Sequence, residues 1–376
     1  MIKRLILPLF FLLVLRNAFA QKDKNITYSL SLGDGYVLPT NKFLKGHNVD
    51  NQKINNIKSV DFTVTKTLDN SKAWQKEYND LRYGLGLYYC HFNYSKNLNN
   101  PLAVYGLIGF SPIKTKRFTW KNQVGLGFSF LWDGYDKEIN PYNVAVSKNW
   151  EAYVNWSFVG SYAIKNGFFA DVGFNFVHFS NGATIKPNKG INIISPSLGF
   201  SYRPTEFRYN PCKDNVSKDY AINHLVSSYY GIHAEFVEDS IQNRSSVFGI
   251  QYRALLELSY KYNFGLGFDF TCTDAIGKNM VDYYSLNNKP DIQNKDRLSV
   301  STFLSFMYDI NRLSVIIEPG VYLYKSSYAY FPKYYQRIGA KYDVYHDCFV
   351  QIALRAYNFH IADYIEAGLG YKFVTH

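Results

Sequence analysis

The side chains best suited to chemistry lie in one short stretch, His178-Phe179-Ser180-Asn181-Gly182. A serine hydroxyl is a weak nucleophile until a neighbouring base takes its proton, and an imidazole is the usual base. His178 and Ser180 are two residues apart, so an extended strand puts both on one face. Asn192, beyond the next loop, has the same parity. If the two runs form an antiparallel hairpin with Phe179 opposite Ile191, Asn192 falls directly opposite His178, where Cβ atoms stand about 4.5–5.5 Å apart. Ser180 is then the nucleophile, His178 the general base, and Asn192 the group that holds the imidazole in one tautomer by a neutral hydrogen bond. The Asn181 amide and the Gly182 backbone N–H are expected to stabilise a tetrahedral oxyanion, since glycine permits close backbone approach. Such a set suits hydrolysis of an acyl ester. Taken alone, H-x-S also fits a polar rim where a strand meets a loop.

The elements that must position this set are strands. Phe168, Ala170, Val172, Phe174 and Phe176 alternate with Asp171, Gly173 and Asn175, and Ile194, Pro196, Leu198, Phe200 and Tyr202 alternate with Ser195, Ser197, Gly199 and Ser201. The same period of two recurs at Val124–Trp132, at Phe264–Phe270 and near the C-terminus at Ile361–Phe373. One face is apolar and the other is rich in Gly, Ser, Asn and Asp, which a barrel lumen tolerates and a dry sandwich core does not. The expected fold is all-β: a transmembrane antiparallel β-barrel of the outer-membrane type with roughly 14–16 strands. Trp132, Tyr202, Tyr371 and Phe373 sit at strand ends and suit interfacial girdles. A single barrel domain is expected over 21–376, with no second domain, internal repeat or low-complexity tract. The strand pattern is weakest before Leu81, where Lys66–Asp80 reads as a loop or short helix.

Composition agrees. The chain has 376 residues, 18% of them aromatic (34 Tyr, 29 Phe, 5 Trp), yet its mean hydropathy is −0.23. Lys3 and Arg4, the apolar run Leu5–Leu15 and the A-x-A site Ala18-Phe19-Ala20 form an export signal over 1–20, too short to span a bilayer as a helix. Removing it takes away Lys3, Arg4 and Arg16 and lowers the net charge from +11 to +8. A basic surface suits anionic partners such as lipopolysaccharide phosphates, and export argues against nucleic acid. Cys90, Cys212, Cys272 and Cys348 are too widely spaced for a zinc motif, and no His pattern fits a metal.

Turn lengths give an orientation. Short turns are expected near Thr115–Arg117, Lys165–Asn166, Tyr260–Asn263 and Asn311–Arg312, and long loops near Gly134–Lys148, Asn181–Gly190 and Asp274–Arg297. Outer-membrane barrels keep their long loops outside, which places the His178 set at the outer-leaflet end, on the lipid face. Thr205–Ile222 breaks the alternation, being long where a short turn is due.

The run His178-Phe179-Ser180-Asn181-Gly182-Ala183, followed by Pro187-Asn188-Lys189-Gly190-Ile191-Asn192, resembles the PagL-like lipid A deacylases, also called acyloxyacyl hydrolases, of the large Bacteroidetes type. The C-terminal stretch Ala362–Phe373 is similar to the end of those proteins. The resemblance implies an outer-membrane barrel, inserted by barrel-assembly machinery, that removes an ester-linked acyl chain from lipid A. It implies His178 as base, Ser180 as nucleophile and Asn181 as oxyanion donor, and no cofactor. Asn192 stands where the best-known members carry Glu, and Glu366 or Asp363 are acids that could substitute. His-x-Ser-Asn-Gly with a later Asn also resembles outer-membrane phospholipase A, a calcium-dependent dimer, although residues 182–192 hold no clear acidic calcium site. A barrel without catalysis, such as a porin, is the third reading.

Overall fold

A computed structural model describes residues 25–69, 71–78, 80–204, 221–236, 242–275, 293–327, 329, 331–359 and 361–375. The expected export signal and Cys212 lie outside the described residues. The described residues form sixteen antiparallel strands, at the upper end of the expected count. They do not close as one barrel. Strands β1 (Ile26–Val37), β2 (Asn56–Thr67), β3 (Arg82–Phe92), β4 (Leu102–Lys114), β5 (Phe118–Phe130), β6 (Trp150–Lys165), β7 (Phe168–Ser180) and β8 (Ile191–Tyr202) form one closed barrel. The second comprises β9 (Ile222–Phe236), β10 (Gln242–Glu257), β11 (Tyr262–Thr273), β12 (Leu298–Ile310), β13 (Leu313–Lys325), β14 (Tyr334–Tyr345), β15 (Cys348–Tyr357) and β16 (Ile361–Thr375).

The closing ladders are β8 on β1, with Leu198 opposite Leu32, and β16 on β9, with Leu369 opposite Ser228. This corrects the expected single barrel. Alternation of apolar and polar residues is a property of each strand and is the same whichever partner closes the ring. It also accounts for the discordant segment before Ile222, which joins two barrels rather than two neighbouring strands of one. Residues 205–220 lie outside the described residues.

The faces follow the sequence. On β7 and β8 the directly opposed pair Val172 and Leu198 is 62% and 67% exposed, so apolar side chains point outward where a bilayer would receive them. Eight strands leave a lumen just wide enough for side chains. In the first barrel Asp171 accepts hydrogen bonds from Ser161 and Ser201 and lies 3.7 Å from the Lys121 ammonium. Above this polar layer Tyr88, Tyr105, Tyr153, Phe179 and Trp132 form an aromatic plug. Trp132 is therefore not the girdle residue expected of it; it is buried, with Nε1 donating to Ser129 Oγ at 2.8 Å. Tyr371 and Phe373 do lie exposed on the outer face.

The second lumen is ionic. Arg253, Arg337 and Arg355 are fully buried with Asp269, Glu318 and Glu366, three cations against three anions. Arg253 Nε donates to Glu318 at 2.6 Å, Arg337 to Glu318 at 2.8 Å and Glu366 at 2.9 Å, and both Arg337 and Arg355 to Asp269. Arg355 Nε reaches Glu366 at 2.9 Å. Buried charges persist only when paired and hydrogen-bonded, and here the pairing is mutual.

Loops 38–55, 93–101, 131–149 and 181–190 gather at one end of the first barrel, and the turns 115–117 and 166–167 at the other. The 68–81 connection, at the tight-turn end, contains a single helical turn, α1 (Ala73–Lys76), as its polar sequence suggested. Removing one partner from a buried ionic network leaves the others uncompensated, at a cost of about 3–5 kcal/mol. Arg337→Met in the full chain should therefore lower the urea midpoint of unfolding from lipid vesicles. An unchanged midpoint would show that the network adds nothing to stability.

Candidate active site

The hairpin forms in the expected register. Phe179 pairs with Ile191 and His178 with Asn192, and the His178 Nδ1 to Asn192 Oδ1 distance is 2.7 Å. An amide oxygen only accepts, so the hydrogen between them belongs to His178 Nδ1, and Nε2 carries the free lone pair. That is the tautomer a general base needs. Both side chains, and Ser180, share the outward parity of β7 and β8 and are half-buried, unlike the freely exposed Val172 below them.

Ser180 ends its strand, and its Oγ accepts two hydrogen bonds, from the Gly182 N–H at 3.1 Å and from the Asn188 side-chain amide at 2.8 Å. No hydrogen bond to His178 is formed in this rotamer. Ser180 is one pleat along the same face, so rotation about its Cα–Cβ bond is what brings Oγ toward the imidazole.

Asn181 does something other than expected. Its side chain is buried, and its amide donates to Ser147 Oγ at 2.5 Å and to the Ile185 carbonyl at 3.0 Å. Both protons are thus committed within the loops, away from Ser180. Its Oδ1 accepts from Asn188 at 2.8 Å and its carbonyl from Thr184 Oγ1 at 2.9 Å, so Asn181 is the hub of the 181–190 loop. The Ile185 carbonyl can only accept, which fixes the orientation of Asn181 and, through it, that of Asn188. The side-chain donor at Ser180 is Asn188. Sequence spacing gives no warning of this, because Asn188 reaches back across a loop rather than along a strand. The Gly182 N–H is the backbone donor at Ser180.

Two glycines let the loop pass. Gly182 (φ +64°) and Gly190 (φ +69°) occupy the left-handed region, which disfavours a side chain. A methyl built on Gly190 would stand 3.1 Å from His178 Cε1 and 3.0 Å from the Phe179 carbonyl. Neighbouring loops hold this one down: Gly190 N–H donates to the Ala145 carbonyl at 3.0 Å and Lys189 N–H to Val144 at 2.9 Å, while Asn41 donates to the Gly190 carbonyl at 3.2 Å.

The acids considered as substitutes for Asn192 are elsewhere. Glu366 is ion-paired inside the second barrel. Asp363 is the extra residue of a bulge where Arg355 pairs with Tyr364 and Ala356 with Ala362, which turns it inward onto His233 Nδ1 at 2.7 Å and the Tyr357 hydroxyl at 2.6 Å. Among the described residues, no cluster of three or more His, Cys, Asp or Glu could hold a metal ion.

Residues 222–375, the whole of the second barrel, match the family described as acyloxyacyl hydrolase, C-terminal domain. The second barrel is similar to that family, which is as far as the match reaches. The match lies entirely in the second barrel, and the His178–Ser180 site is in the first. Among solved structures, the outer membrane enzyme PagL is 15% identical, with 46% of this chain and 98% of that one covered and a TM-score of 0.31. The β domain of the Bordetella autotransporter BrkA is 8% identical over 93% and 99% of the two chains, at 0.22. The Pseudomonas putida toluene transporter TodX is 9% identical over 94% and 90%, at 0.17. These scores are too low for any residue to be carried across. No curated protein matches the chain.

If Asn181 is structural, Asn181→Ala should leave buried partners unsatisfied, at about 1–3 kcal/mol each. Protease cleavage within 181–190 should then rise at least about tenfold, with the barrels intact by gel mobility. Unchanged cleavage would contradict the hub role.

Proposed function

We propose that this chain is a PagL-like outer-membrane acyl-ester hydrolase that removes an ester-linked acyl chain from lipid A. The observation that carries this is the 2.7 Å contact of His178 Nδ1 with Asn192, on the outward face beside Ser180, where a bilayer lipid can reach it. In the reaction, His178 Nε2 takes the Ser180 hydroxyl proton as Oγ bonds to the ester carbonyl carbon. The carbonyl oxygen becomes an oxyanion, met by the Gly182 N–H and the Asn188 amide that now point at Ser180. The C–O bond to the sugar breaks, and His178 returns its proton to the departing hydroxyl. Water, deprotonated by the same imidazole, then releases the fatty acid from Ser180.

Asn192 fixes the imidazole but carries no charge, so it orients the base without stabilising the imidazolium as a carboxylate would. The proposed active side faces the membrane, and the lumens are occupied by aromatic and ionic side chains, which favours a lipid-acting enzyme over a pore. Cells expressing the wild type should yield lipid A lighter by one acyl chain in mass spectrometry, and cells expressing Ser180→Ala should not. Identical lipid A in both, with phospholipid acyl chains released instead, would favour the phospholipase reading. In purified protein, Asn188→Ala should lower kcat about 10²–10³-fold, the usual effect of removing an oxyanion donor. An unchanged kcat would remove Asn188 from the mechanism.

A further inference from the structure

The turn that presents the Gly182 N–H to Ser180 does not rest on its own barrel alone. A methyl built on Gly182 would lie 2.7 Å from Ile365 Cδ1, 2.9 Å from Ile365 Cγ1 and 3.7 Å from Leu354 Cδ1. Those side chains belong to the outer wall of the second barrel, where Leu354 on β15 and Ile365 on β16 are directly paired. Their burial bears this out. Along the same outward rows Ile352 is 54% and Leu369 67% exposed, whereas Leu354 and Ile365 are half-buried. The loop of the first barrel covers them.

The two barrels also meet at the opposite end. Tyr78, in the 68–81 connection, donates its hydroxyl to the Asp309 carbonyl and packs edge-on to Tyr308 at 6.0 Å between ring centres. The Lys261 ammonium lies 5.1 Å from the centre of the Tyr78 ring and 3.8 Å from Glu77. Contacts at both ends fix the second barrel against the first, so the Leu354–Ile365 pair is a fixed stop rather than a passing neighbour.

We propose that Ile365 and Leu354 are positioning residues for the reaction: the second barrel's outer wall holds the Gly182 turn so that its N–H stays aimed at the oxyanion position. This rests on the hydrolase reading given above. Gly182 is suited to it twice over, because its left-handed backbone sets the N–H direction and its missing side chain lets the Ile365 methyl reach the main chain. Catalysis depends steeply on such placement; misplacing a group by about 1 Å can cost about 10²-fold. The second barrel would then have a catalytic use without contributing any group that touches the substrate.

The test is steady-state kinetics of the full chain in detergent micelles with a short-chain and a long-chain p-nitrophenyl ester, comparing the wild type with Ile365→Ala, Ile365→Val and Ser180→Ala. Ile365→Ala should lower kcat about 10- to 100-fold on both esters with KM unchanged, and Ile365→Val, which keeps a branched contact, should restore most of it. Unchanged kcat in Ile365→Ala would overturn the proposal. A rise in KM confined to the long ester would also overturn it, and would make the second barrel a wall for the acyl chain instead. Should the wild type and Ser180→Ala hydrolyse both esters equally, the hydrolase reading itself fails and the positioning role with it. That result is distinct, because it shows in the Ser180 comparison and not in the Ile365 one.

Discussion

The proposed chemistry depends on one cross-strand pair, His178 opposite Asn192. A single-residue slip of β7 against β8 would move every side chain to the other face, sending His178 and Ser180 into the lumen among Tyr153 and Trp132. The register is held from both sides. Inward residues Val177, Phe179, Ile191 and Ile193 are buried in the aromatic plug, and the outward row of Val172, Phe174, Leu198 and Phe200 is exposed. Burial of one face thus fixes the geometry of a polar pair on the other.

An asparagine as the imidazole's partner is physically consistent with this position. A carboxylate on the outward face would lose most of its hydration, and an isolated ionised group in apolar surroundings is costly. The amide oxygen of Asn192 accepts the same hydrogen bond with no charge to desolvate. The division of labour within the loop is similar. Asn181 spends its side-chain amide on the 181–190 segment and on Ser147 of the neighbouring loop, which leaves Asn188 and the Gly182 N–H as the donors at Ser180.

Much of this was legible in the sequence where geometry is local. Period-two patterning identified the strands, and parity plus a hairpin assumption placed Asn192 against His178. What was not legible depended on long-range closure. Nothing in the residues of β8 says that its free edge meets β1 rather than β9, so two barrels of eight read as one of roughly 14–16 strands, and the segment joining them as an anomaly. Trp132 looked like a girdle residue because it follows an outward row, but it lies beyond the end of β5, where the chain folds over the lumen. That Asn188 rather than Asn181 donates to Ser180 was hidden for a similar reason: loop side chains choose partners by three-dimensional proximity, as Asn181 does with Ser147. The buried ionic core of the second barrel was hidden by spacing, since Arg253, Glu318, Arg337 and Glu366 come from four different strands.

The most direct measurement is covalent labelling of the full chain with a long-chain fluorophosphonate, followed by peptide mass spectrometry, for the wild type and His178→Ala. An adduct on Ser180 that forms in the wild type and is lost in His178→Ala would establish a nucleophile activated by this histidine. Absence of the adduct, its presence on a different serine, or equal labelling without His178 would contradict the account.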